Sequence, residues 1–213
     1  MRKLLLTFAF VLPVTCALCQ HISYGAFVGL NQTSVPMIYN GKPFANSTQG
    51  GYSIGGVANI KLGKFLSFQP GLYFTRKGGT TLHDTIYVNI GVPKNPGRDK
   101  LELYYGEIPI NFIFHVQVEG ATIFTGGGPY VAAKLSSMVL FKIDNDNEGY
   151  NETPYGPLPL KSTDLGYNVL VGIRFAKGFT VRIAYEKSLG TIYDGQSNVK
   201  NQGFNYSVGY FFK

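Results

Sequence analysis

Residues 178–190, "GFTVRIAYEKSLG", alternate without a slip. Phe179, Val181, Ile183 and Tyr185 fall on one parity; Thr180, Arg182, Ala184 and Glu186 fall on the other. A period of two belongs to a β-strand, whose successive side chains face opposite sides of a sheet. Such a strand leaves two architectures open. In a soluble barrel or sandwich the apolar parity is buried and Arg182 and Glu186 meet water. In a membrane barrel the pattern is inverted, with the apolar parity in lipid and the charges in the lumen.

The same period recurs over 22–30, 52–62, 65–77, 101–116, 121–135, 164–176, 179–189 and 203–213, and no stretch carries a helical period. The connections fall into two classes. Short ones lie around Gly63, at 117–120 and at 176–178, and long ones at 31–51, 78–100, 136–163 and 190–202. They alternate strictly, so an up-and-down meander puts every long loop at one end and every short turn at the other. Outer-membrane barrels sort their loops in this way; a soluble meander has no reason to.

One parity collects bulky apolar residues in every segment, among them Tyr24, Val28 and Leu30, then Phe68, Leu72 and Phe74, then Ile108, Ile110, Phe112 and Phe114. The other carries Asn59, Lys61, Gln69, Glu107, Asn111, His115, Lys134, Asp164, Asn168, Arg174, Arg182, Glu186, Asn205 and Ser207, with most in-strand glycines. Eight strands enclose a space that side chains just fill. The rings and branched residues would overfill it, whereas small and polar residues fit. Glycine at 27 residues and aromatics at 15% suit that arrangement, as do charged residues at 15%, well below the ~25% of soluble domains. The expected fold is therefore all-β, an eight-stranded antiparallel up-and-down transmembrane β-barrel with its apolar face outside. Pro70, Pro109 and Pro129 fall inside strands, where each removes a ladder donor, so bulges or local gaps are expected beside them.

Residues 1–19 read as a cleaved signal peptide and 20–213 as the barrel domain. Arg2 and Lys3 precede an apolar run, 4–14, too short to span a bilayer, and small residues follow it. Cleavage is expected after Cys19 or Ala17; if it follows Cys19, both cysteines and both of those charges leave, the formal charge falls from +7 to +5, and no disulfide or thiolate chemistry is expected. The basic residues are scattered, which argues against a nucleic-acid partner.

"YGAFVGLN" (24–31), "FQPGLYFTRKG" (68–78), "YYGEIPINF" (104–112), "GGPYVAAKLS" (127–136) and the closing "NYSVGYFFK" carry a resemblance to the PorT-like outer-membrane β-barrel family of Bacteroidota. The resemblance covers essentially the whole mature chain. Glu107 and Pro109 match the family's E-I-P, and Gly128 to Val131 its G-P-Y-V. It implies an eight-stranded outer-membrane barrel with no catalytic or ligand residues to carry over, and, through the family's namesake, a link to protein secretion. It also implies contact with outer-membrane lipid and lipopolysaccharide, and with the barrel-assembly machinery during insertion. That machinery reads a terminal aromatic residue; here Phe212 is penultimate and Lys213 last.

Glu107, Asp164, Arg174, Arg182 and Glu186 share the inward parity. They could line an ion path or form a luminal charge network that neutralises itself, and in so narrow a barrel the structural network is expected. Asp144, Asp146 and Glu148 before Gly149 resemble the start of a calcium loop. Tyr155 stands where the bidentate Glu belongs, however, and no helices flank the segment, so a solvated acidic loop is expected. His21, His83 and His115 are the only histidines. Asp84 beside His83 is adjacency in sequence rather than a relay, and no zinc spacing, phosphate loop or paired glycosidase carboxylates occur. The expectation is a non-enzymatic outer-membrane protein with a filled lumen and no cofactor. It would act structurally or through its long surface loops, on an envelope protein partner that the sequence does not name. The competing classes are a lipid-modifying outer-membrane enzyme and a soluble lipocalin-like carrier.

Overall fold

The computed structural model describes residues 22–35, 38–39, 42–43, 46–83, 97–143, 160–192 and 199–212. The signal segment 1–19, His21, Asp84, the acidic loop 144–152 and the side chain of His83 lie outside the described residues. Eight antiparallel strands close into a barrel: β1 (Ile22–Ser34), β2 (Asn46–Lys61), β3 (Leu66–His83), β4 (Gly97–Val118), β5 (Ala121–Ile143), β6 (Thr163–Phe175), β7 (Phe179–Ser188) and β8 (Gln202–Phe212). Each pairs with its sequence neighbours, and β8 returns to β1 in a register that sets Val28 opposite Val208. Between β1 and β2, Ile38–Tyr39 pairs with Lys42–Pro43 in a two-rung ladder.

The short connections need glycine at two places. Gly120 adopts φ 73° in the turn between β4 and β5, and Gly178 adopts φ 93° between β6 and β7, a region that L side chains rarely enter. All long connections sit at the opposite end of the barrel.

The apolar parity faces outward. Along β6, Val169, Val171 and Ile173 are 54%, 51% and 41% exposed, while Asn168 and Leu170 between them are at 5% and 3%. So continuous an apolar surface is untenable in water and matches an acyl-chain environment. Aromatic residues ring both margins. Tyr52, Phe74 and Tyr104 neighbour one another across β2, β3 and β4 towards the long loops, as do Tyr185, Phe204 and Tyr206 on β7 and β8. Phe68 with Phe112, and Phe175 with Phe179, do so towards the short turns.

Inside, five of the rings lie over glycines on adjacent strands. Phe27 faces Gly55 and Gly209, Tyr73 faces Gly55, Phe124 faces Gly172, Tyr130 faces Gly166 and Phe211 faces Gly25. A Cβ on Gly172 would come within 2.4 Å of the Phe124 ring, and one on Gly209 within 2.4 Å of Phe27. At these positions glycine is a packing requirement: the narrow lumen accepts the ring because the facing residue has no side chain.

Strands β6 to β8, at 13, 10 and 11 residues, are close to the ~9–11 needed to cross a bilayer. Strands β2 to β5 run to 16, 18, 22 and 23 residues, so this half of the wall continues past the membrane at the long-loop end. The periodicity had placed the end of β3 at 77, the start of β4 at 101 and the end of β5 at 135. The extension is stabilised differently: above Glu107 the apolar parity of β4 turns inward, with Leu101, Leu103 and Tyr105 buried. A bulge between Tyr104 and Tyr105, opposite Leu135, marks the change.

The prolines produce gaps rather than bulges. Pairing skips from Val57–Gly71 to Ile60–Phe68, from Pro70–Ile110 to Tyr73–Glu107, and from Pro109–Tyr130 to Phe112–Gly127, with the register unchanged across each gap. Each missing donor costs a rung without displacing the strand.

Candidate functional site

The lumen is filled in layers, and the strands place each layer by register. Across the middle, Arg182 of β7 donates from Nε to Ser207 Oγ at 2.9 Å and from Nη2 to Tyr73 Oη at 2.7 Å. Its guanidinium lies 4.2 Å from the centre of the Phe27 ring. Beside it, Asn205 Nδ2 donates to Asn31 Oδ1 and to Ser53 Oγ, and Asn31 Nδ2 donates to Thr75 Oγ1 at 2.8 Å.

One level up, Lys77 of β3 bridges two carboxylates. Its Nζ is 2.5 Å from Glu107 Oε2 and 2.8 Å from Glu186 Oε2, and it sits 4.7 Å from the centre of the Tyr130 ring. Glu107 is buried and Glu186 partly exposed, and two carboxylates so close are tolerable only with a cation between them. Above this, Asp164 Oδ2 accepts from Ser188 Oγ at 2.8 Å, from Asn201 Nδ2 at 3.1 Å and from Tyr130 Oη at 3.4 Å.

The long-loop end is sealed by an apolar cluster. Leu101, Leu103 and Tyr105 of β4 and Tyr130 and Ala132 of β5 pack with Val35, Ile192 and Val199, and Leu160 leans against them. Val35, Leu160, Ile192 and Val199 belong to the long connections. Backbone bonds tie these together, Ile192 N to Val199 O at 2.8 Å and Lys161 N to Ile192 O at 2.9 Å, and Lys134 Nζ donates to Leu160 O at 2.7 Å. Below the seal a cavity of about 20 Å³ remains among Glu107, Asn111, Arg182, Glu186 and Asn205. That is room for about one water molecule.

The five charges singled out in the sequence all face inward, yet they are not brought together as one network. Glu107 and Glu186 meet through Lys77. Asp164 is held by hydroxyl and amide donors. Arg182 is held by Tyr73, Ser207 and aromatic faces, and Arg174 lies 3.4 Å over the Phe211 ring. Lys77, the hub, had been overlooked although its parity with Gln69 and Tyr73 places it inside. The seal had also been overlooked, because Leu101, Leu103 and Tyr105 share the inward parity of Glu107 while being apolar. Of the histidines, His115 lies at the short-turn end, and no group of His, Cys, Asp and Glu fit to hold a metal occurs among the described residues.

Residues 18–194 match the family described as outer membrane protein beta-barrel domain. The chain belongs to that family. It is an outer-membrane barrel, in accord with its outward apolar face and aromatic margins. Among solved structures it is similar to Neisserial surface protein A, at 12% identity and a TM-score of 0.49, covering 91% of this chain and 100% of that one. OprG of Pseudomonas aeruginosa follows at 10% and 0.48, covering 90% and 94%. Ail of Yersinia pestis, solved with the heparin analogue sucrose octasulfate, stands at 13% and 0.43, covering 89% and 99%. No curated protein matches the chain.

Proposed function

We propose that this outer-membrane barrel is a closed, non-enzymatic scaffold that acts through its four long connections, displayed at the cell surface, on a protein partner of the envelope. The observation that carries the reading is the seal. The loops contribute Val35, Leu160, Ile192 and Val199 to an apolar cluster over a packed lumen, which fixes the loop bases. A barrel so plugged has its surface, rather than its interior, available for work. The PorT-like motifs support placing that work beside protein secretion, and the lipid and lipopolysaccharide of the outer membrane are its surroundings.

The experiment is loop replacement. Exchanging residues 84–96 or 144–159 for short Gly-Ser linkers should leave the barrel inserted and heat-modifiable on gels, while abolishing the cross-links that the intact protein makes in whole cells. Lipid A from a deletion strain should have an unchanged mass profile. Cross-links that survive both loop replacements made together, or an altered lipid A profile restored by the intact gene, would overturn the reading.

A further inference from the structure

The opposite mouth of the barrel has a different chemistry. At the short-turn end a cavity of about 70 Å³ opens between β2 and β6, lined by Lys61, His115 and Arg174 with Asn59, Ser67, Gln117 and Thr122. No carboxylate lines it. Among the described residues, Arg174 makes no ion pair, and its buried Nε has no hydrogen-bond partner. Its guanidinium is instead held over the Phe211 ring, which fixes its orientation without using its donors. Gln69 Nε2 donates to Asn59 Oδ1 at 3.2 Å, so the Asn59 amide nitrogen is left as a further donor. Among the described residues of the short turns, Lys64 and Lys177 stand against Glu119.

Among the described residues, the other buried luminal charges are each answered: Lys77 and Glu107 by each other, Asp164 by hydroxyl and amide donors, and Arg182 by two hydroxyls. Here two permanent cations and an imidazole converge on one cavity, and like charges so placed favour an anion between them. Arg with amide and hydroxyl donors is the donor set that recognises the oxygens of a phosphate-class ion. We propose that the cavity at the short-turn end binds a small soluble oxyanion of the phosphate class. Its side chains point into the lumen rather than towards the acyl chains, so the ion enters from the aqueous compartment on that side and not as a lipid headgroup.

The test is titration of the purified, folded barrel with inorganic phosphate in a phosphate-free detergent buffer, followed by calorimetry and by the ring resonances of His115. Saturable binding is expected, weakened by about tenfold or more in Arg174→Gln, and clearly weakened in Lys61→Gln. Lys100→Gln, at the far end of the wall, should bind as the parent does. If Arg174→Gln fails to fold, Lys61→Gln carries the test, because Lys61 is exposed and its loss removes no packing. Absence of saturable binding at millimolar phosphate, equal affinity in parent and Lys61→Gln, or displacement of phosphate by short-chain phosphatidylglycerol would overturn the proposal, the first two as to the site and the last as to a soluble ligand.

Discussion

Lys77 carries more of the interior than any other single side chain. It is the cation between Glu107 and Glu186, and its removal would leave the buried Glu107 carboxylate facing that of Glu186 with no cation between them. Lys77→Met is therefore expected to destabilise the barrel by about 3–5 kcal/mol, the usual cost of breaking a buried pair on one side. The double change Lys77→Met with Glu107→Gln should recover part of it. Thermal unfolding in detergent checks both; a single variant as stable as the parent would show that the bridge contributes nothing. A second residue-scale expectation concerns space. Gly172→Ala places a Cβ within 2.4 Å of the Phe124 ring and 2.5 Å of the Val181 carbonyl oxygen, and should cost about 1–3 kcal/mol by overpacking. Adding Phe124→Leu should relieve the clash with the ring and leave the one with the carbonyl, so the recovery should be partial.

Strands show where the membrane ends. In β4 Ile108, Ile110, Phe112 and Phe114 put their side chains outside, whereas Leu101, Leu103 and Tyr105 put theirs inside, and on the opposite parity Glu102 is covered by Arg76 and by Lys100, which it pairs with at 3.0 Å. The solvent on the outer face changes from lipid to water between these two halves of one strand. Val171→Arg, between the two aromatic margins of β6, should cost about 2–4 kcal/mol in folding into lipid vesicles, and Asn168→Ser much less. Leu103→Ala, in the seal, should cost about 2–5 kcal/mol by leaving a cavity. The strand count, the loop asymmetry and the outward apolar face were all legible in the sequence, because each rests on a period of two that lipid inverts without blurring. The continuations of β2 before 52, of β3 past 77 and of β5 past 135 were not legible, since the alternation of bulky apolar with small or polar residues stops there. The pairing of the luminal charges was also beyond reach: parity places Arg182 and Asp164 inside, but only the register of neighbouring strands shows that Tyr73, Ser207 and Ser188 meet them.

At the scale of the molecule, the barrel has one end capped by an apolar cluster and one basic, partly open end, with packed layers of side chains between them. Its loop asymmetry implies that a tag inserted near Asn95 is cut by protease on whole cells and one near Glu119 is not; equal cutting at both would contradict the orientation. The central claim is that the interior is structural. It is tested most directly by recording the purified barrel in planar bilayers. No steady unitary conductance is expected in the parent protein, and none in Arg182→Glu, because the seal and the packed layers remain above and below that side chain. Reproducible single-channel steps, with an ion selectivity that changes in Arg182→Glu, would show that the lumen is a pore and would contradict the account.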